Sequence, residues 1–163
     1  MDTQIRVSTK ALILRDNAIL LVEYDDESGL HYNMPGGGVE PDETLEETLK
    51  REVQEETCAE VEIGRPLIIT EYEPKRNAFW GGTRHSLTVI FECKLTGDTE
   101  PQMPQKPDPN QTAVKWIPLV DLDKVELLPH VTDHILTYAN KQGNHYPIYL
   151  CEPINPDKVQ KYL

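Results

Sequence analysis

The sequence predicts a mixed α/β domain, and three observations carry that expectation. β-branched and aliphatic runs flank a short polar break near the N-terminus. A capped apolar repeat of helical spacing follows three successive glycines, and strand-patterned segments come after it. At 163 residues the chain is long enough for one domain with a real core, so residues 1–163 read as a single unit.

The elements follow in order. Arg6–Leu14 and Ala18–Glu23 are β-branched or aliphatic runs around Arg15-Asp16-Asn17 and read as a β-hairpin. Tyr24–Gly29 reads as a polar loop. In Met34-Pro35-Gly36-Gly37-Gly38-Val39 the glycines imply a backbone that turns tightly or lies close against something. Thr44, with Glu47 three residues later, makes a capping box, and Leu45, Leu49 and Val53 recur every four residues. Together they predict a helix from about Thr44 to Thr57.

Val61–Glu71 and Arg84–Leu95 read as strands. In the second, His85 alternates in phase with Leu87, Val89, Phe91, Cys93 and Leu95 and reads as an interior histidine. Pro101, Pro104, Pro107 and Pro109 exclude a regular element from Gly97–Gln111. Ala113–Ile117 reads as a short strand and Val131–Asn140 as a helix. A C-terminal extension of about residues 141–163 holds the apolar run Tyr146–Cys151, suited to a neighbour's sheet edge and hence to a homodimer.

Composition excludes several classes. The net charge of −12, from 28 acidic against 16 basic residues, repels a nucleic-acid backbone. The longest apolar stretches, Ala11–Leu14 and Ala18–Val22, are far too short to span a bilayer, so no membrane partner is expected. Cys58, Cys93 and Cys151 are scattered and odd in number, which suits reduced thiols. With no secretory layout at Met1–Arg6, the expectation is a cytoplasmic protein.

The predicted helix also carries the chemistry. With Leu45 at the origin, Glu52 falls at about −20°, Glu55 at about −80° and Glu56 at about 20° around the axis. Three carboxylates therefore crowd beside the apolar stripe, with Glu56 nominally inside it. A solvated face paired with Lys50 and Arg51 is the plain reading of a Glu-rich helix. Like charges at this spacing repel, however, and a carboxylate turned toward the core is costly. A hard divalent cation, which prefers oxygen ligands, relieves both penalties.

The flanking residues sharpen this. Gly37, five residues, Glu43, seven residues, then Arg51-Glu52-Val53-Gln54-Glu55-Glu56-Thr57-Cys58-Ala59 resembles the Nudix box, with Cys58 where that box has glycine. A chance match is on the order of one in a million from residue frequencies. The box covers residues 37–59. The preceding hairpin and the later Val114–Leu119 segment extend the resemblance to about residues 5–140. It implies a Nudix-type α/β/α sandwich with a mixed sheet.

The resemblance also implies the activity: metal-dependent hydrolysis of a phosphoanhydride bond in a nucleoside diphosphate linked to another moiety. ADP-ribose-like sugar nucleotides and nucleoside triphosphates are the substrate classes. Glu52, Glu55, Glu56 and the Gly36 carbonyl become ligands of Mg²⁺, with Mn²⁺ as the other candidate. Arg51 and Glu43 become a supporting ion pair that orients the ligand helix, since arginine can fork onto a carboxylate. Glu52 is favoured as catalytic base over Glu100 and Asp108. Tyr32, Arg76, Trp80 and Arg84 are the candidate substrate contacts: Phe79 and Trp80, flanked by Lys75, Arg76, Arg84 and His85, suit a nucleobase and phosphates, and Tyr24 and Tyr32 suit the pocket mouth. The other readings are a non-catalytic nucleotide sensor and an RNA 5′-end pyrophosphohydrolase. The acidic charge disfavours the second. An isomerase would need metal-binding Cys or His sites that the sequence lacks.

Overall fold

The computed structural model describes residues 4–75, 84–141 and 146–151. Strands β1 (Arg6–Arg15) and β2 (Ala18–Asp26) form the expected hairpin. Asp16 and Asn17 at its tip have φ of 51° and 58°. Two left-handed residues in succession match the twist of the flanking strands, and Asn and Asp tolerate them well. The polar loop expected over Tyr24–Gly29 is corrected. β2 continues to Asp26, and β3 (Gly29–Asn33) returns antiparallel to it.

Beyond Leu14↔Ile19 the two hairpin strands part and seed the two halves of the sheet. β1 pairs antiparallel with β4 (Gly36–Gly38) and parallel with β6 (Ser86–Thr96), which pairs with β5 (Glu60–Tyr72). β2 pairs antiparallel with β3 and β7 (Gln111–Pro118), and β8 (Leu127–Leu128) lies parallel to β3. The sheet is therefore mixed, as expected.

Both sheet faces are covered, which explains the unbroken apolar runs of β1 and β2. Ala11, Ile13 and Leu20 pack with Leu49 and Val53 of helix α1 (Leu45–Thr57). Leu12, Ile19 and Leu21 face the other way, toward Leu122, Val131 and Ile135 near helix α2 (Thr132–Ala139). A helix on either side of the sheet is the α/β/α sandwich.

Two further expectations change. His85 is half-buried rather than interior, with Nε2 2.5 Å from a Glu71 carboxylate oxygen. The C-terminal run forms β9 (Ile148–Leu150), which pairs with Ile68–Thr70 of β5 in the same chain. That pairing takes one edge of the run, and β9 is the last strand on that side of the sheet. The proline-rich segment is free of regular structure up to Gln111, as expected.

Cys93 is buried, and burial pushes its thiol up to about 12, in keeping with a packing role. Cys58 caps α1 in the left-handed conformation, at φ 60° and ψ 5°, with its N–H donating to Gln54 O at 2.9 Å. This backbone conformation favours glycine. Cys58→Gly is therefore expected to retain full activity and a melting temperature no lower than wild type, checked by thermal denaturation and turnover.

Candidate functional site

The site is built on α1, whose position is set at its start. Glu47 N–H donates to Thr44 Oγ1 at 3.2 Å, and Thr44 N–H donates to Glu47 Oε2 at 2.8 Å, the reciprocal capping box. Leu49 and Val53 are fully buried and fix the rotation of the helix. That rotation carries Glu56 inward, to 4% exposure, and leaves the Glu52 side chain 15% exposed and that of Glu55 58% exposed. The ordering matches the helical-wheel expectation.

Glu56 is compensated on both oxygens. Gly36 N–H donates to Oε2 at 2.9 Å and Tyr24 OH donates to Oε1 at 2.8 Å. Burial nevertheless pushes its pKa up to about 7, against the pull of Lys10 and these two bonds. Burial also raises Glu52 above the usual carboxylate range, with Arg51 opposing it. The Lys10 Nζ donates to Gly36 O at 2.9 Å, and burial draws its pKa below the ordinary lysine value.

The glycines supply the close approach expected of them. β4 lies antiparallel against Ser8–Lys10 of β1. A Cβ on Gly36, whose φ is 144°, would fall 2.1 Å from Thr9 O, and one on Gly37 would fall 2.3 Å from Glu52 Oε1. A bare backbone is therefore needed both toward β1 and toward the helix carboxylate.

Arg51 organises the outer edge. Its Nε and Nη2 fork onto the two oxygens of Glu43 at 2.7 and 2.9 Å. Its Nη1 reaches Glu52 at 2.9 Å and Glu55 at 3.3 Å. Glu43 also accepts from Thr48 Oγ1 at 2.8 Å. The Arg51 guanidinium, helped by Thr48, holds Glu43 at about 2. A folded-state pKa below the ordinary 4.5 means that this contribution to stability is full above about 4.5 and is lost as pH falls toward 2. Wild-type melting temperature should fall more steeply across that window than that of Glu43→Gln, as followed by circular dichroism.

The donor chemistry suits a hard divalent cation: carboxylates at 52, 55 and 56 and a carbonyl at a glycine with no side chain in the way. Among the described residues, no three Asp, Glu, His or Cys side chains are already gathered as a ligand set. Arg51 stands between Glu52 and Glu55, and Lys10 holds the Gly36 carbonyl. These two side chains meet the carboxylates and carbonyl that would face the cation. The residues fit the ion in kind, and the three carboxylates share one helix, with Arg51 and Lys10 as the present partners of the donor set.

The other sequence candidates are dispersed. Tyr32 is 7% exposed, with its hydroxyl donating to Glu23, so its expected place at a pocket mouth is corrected to an interior one. Arg84 is exposed just before β6. Arg76, Trp80 and Phe79 lie outside the described residues. Glu100 is engaged by Arg15 and by Trp116 Nε1 at 3.3 Å, with the guanidinium 4.2 Å above the Trp116 ring. Asp108 acts on the site by charge: it opposes the lowering of Lys10 by burial and adds to the burial that raises Tyr24.

Sequence reasoning missed Lys10 and Gln111. Lys10 stands in β1 between the polar Ser8-Thr9 and the apolar Ala11–Leu14, and nothing local sets it apart from its polar neighbours. Gln111, at 6% exposure, donates from Nε2 to Glu56 O at 2.9 Å. Nothing local marks a glutamine 55 residues from its partner.

A mixed sheet between two helices, with a glycine strand laid against a carboxylate-lined helix, defines a class of domain. The chain belongs to the NUDIX domain family, whose family model matches residues 4–139. Among curated relatives, the nucleoside triphosphatase NudI of Escherichia coli O9:H4 (strain HS) is 41% identical over 95 residues. The match covers 50% of this chain and 63% of that protein. Of the solved structures, the MutT NUDIX hydrolase from Burkholderia pseudomallei is 28% identical with a TM-score of 0.64. It covers 82% of this chain and 96% of its own. A NUDIX hydrolase from Nitrosomonas europaea, at 22% identity, shares the fold with a TM-score of 0.69, covering 88% of this chain and 94% of its own. An ADP-ribose pyrophosphatase from Streptococcus suis 89-1591, at 23% identity, also shares the fold, with a TM-score of 0.64. It covers 90% and 98% of the two chains.

Proposed function

We propose that this protein is a divalent-metal-dependent pyrophosphohydrolase that cuts a phosphoanhydride bond of a small nucleotide. The observation that carries the reading is Glu56, a carboxylate at 4% exposure one helical turn from Glu52 and bonded to the glycine strand through Gly36 N–H. Burying such a group costs several kcal/mol unless charge compensates it. The cost makes sense as preparation for a cation.

Glu52, Glu55, Glu56 and the Gly36 carbonyl would hold Mg²⁺, or Mn²⁺ in its place. When bound, the ion neutralises phosphate oxygens and lowers the pKa of a water nucleophile. Arg51, forked onto Glu43, holds the helix edge in place through charge-assisted bonds. Glu52, raised in pKa by burial, is the assigned proton acceptor. The bare backbone at Gly37 lets the Glu52 carboxylate lie directly against it. The likeness to NudI favours a nucleoside triphosphate as substrate; an ADP-ribose-like nucleotide is the second class, favoured by the shared fold alone. Among the described residues no helix is long and apolar enough to cross a membrane, and Cys58, Cys93 and Cys151 are free thiols. These free thiols support a cytoplasmic site of action.

The test is release of phosphate or pyrophosphate from a nucleotide panel, with Mg²⁺ and with EDTA. Turnover of a nucleoside triphosphate with Mg²⁺, abolished by EDTA, is the expected result. Nucleotide binding without turnover would establish a sensor instead. In the same assay Glu52→Gln should lose more than about tenfold in turnover, and a smaller loss moves the base elsewhere, with Asp108 next in line.

A further inference from the structure

Glu56 is gripped at two points by residues that are themselves partners. Tyr24 and Gln111 face each other across the β2–β7 pairing, where the register shifts between Glu23 and Tyr24. From this one position, Tyr24 OH donates to the Glu56 carboxylate at 2.8 Å and Gln111 Nε2 donates to the Glu56 main-chain carbonyl at 2.9 Å. One partner holds the end of the side chain and the other holds its root.

Each half of the grip answers a separate physical need. The last carbonyls of a helix have no partner within it, and Glu56 O is one of these in α1. Gln111 fills that role, and its own Oε1 accepts from Asp108 N–H at 3.3 Å. Thr57 O, the next carbonyl, accepts from Gln102 N–H at 2.9 Å. The proline-rich segment thus closes over the end of α1. On the other side, Tyr24 is stacked on His31, with ring centroids 5.8 Å apart and planes 15° apart, so its hydroxyl is aimed by a supported ring.

We propose that Tyr24 and Gln111 act as positioning residues, a two-point clamp that presents the Glu56 carboxylate to the divalent cation. The inference rests on the reading of Glu56 as a metal ligand. Groups that orient a ligand in this way are typically worth about ten- to a hundredfold in metal affinity. The clamp also gives the loop over residues 97–111 a task, because the capping carboxamide stands at its end.

The test is titration of the full chain with Mg²⁺ by calorimetry, and with Mn²⁺ by electron paramagnetic resonance. It compares wild type, Tyr24→Phe and Gln111→Met, each variant keeping side-chain bulk while removing one donor. Each variant should weaken metal binding about tenfold. Wild-type binding of Mg²⁺ with unaltered affinity in both variants, whatever happens to their melting temperatures, overturns the clamp alone. Wild type that binds neither ion overturns the metal reading and the clamp with it. Should Gln111→Met fail to fold, Tyr24→Phe decides.

Discussion

Glu56→Gln is expected to reduce turnover at least a hundredfold, to abolish stabilisation by Mg²⁺, and to leave the fold intact. The fold should survive because an amide can replace both bonds of the carboxylate. Its oxygen accepts from Gly36 N–H, and its NH₂ donates to the Tyr24 hydroxyl oxygen, which can accept. The charge that must be buried disappears, and with it the charge that binds the metal. An orienting group alone is worth up to about a hundredfold, so removing a ligand should cost at least that.

The stability arm is independent of turnover. Mg²⁺ at a hundred times its dissociation constant stabilises the protein that binds it by about 2.7 kcal/mol. For a domain of this size that is a rise of roughly 5–10 °C in melting temperature. Wild type should show the rise and Glu56→Gln should not. A wild-type melting temperature unmoved by saturating Mg²⁺ would refute the metal site, whatever the assay of turnover gave.

Gly36→Ala is the second large effect, and it falls on stability. The new Cβ would sit 2.1 Å from Thr9 O and 2.8 Å from Lys10 Cα, both backbone atoms of β1, at a φ of 144° that side chains rarely adopt. No flexible group can yield there, so β4 must leave its pairing with β1. Expected loss is about 3 kcal/mol or more, measured by urea denaturation. The neighbouring Gly37 is an internal comparison, because the atom in the way is the end of the Glu52 side chain. Gly37→Ala should cost less stability than Gly36→Ala. Equal losses would show that the strand contact at Gly36 is not the cause.

What was legible in the sequence follows from the range of the interaction. Thr44 and Glu47 announce the start of α1, and Leu45, Leu49 and Val53 announce its buried side, because capping and helical period act within a few residues. From those alone Glu56 had to point inward. The glycine triplet likewise announced a close contact, since only a missing Cβ distinguishes it. Cys58 could be marked as a strained helix end for the same local reason.

The sequence by itself therefore determined the helix, its carboxylate edge, the family and the kind of cation these oxygens suit. Tertiary structure decided which strand lies under the glycines, that Glu100 goes to Arg15, 85 residues away, and that Gln111 caps Glu56. It also decided that the C-terminal run pairs with β5 of the same chain. These outcomes depend on register, and register is chosen by burying both faces of the sheet at once. No short stretch of chain carries that information, because every strand here is selected by partners distant in sequence.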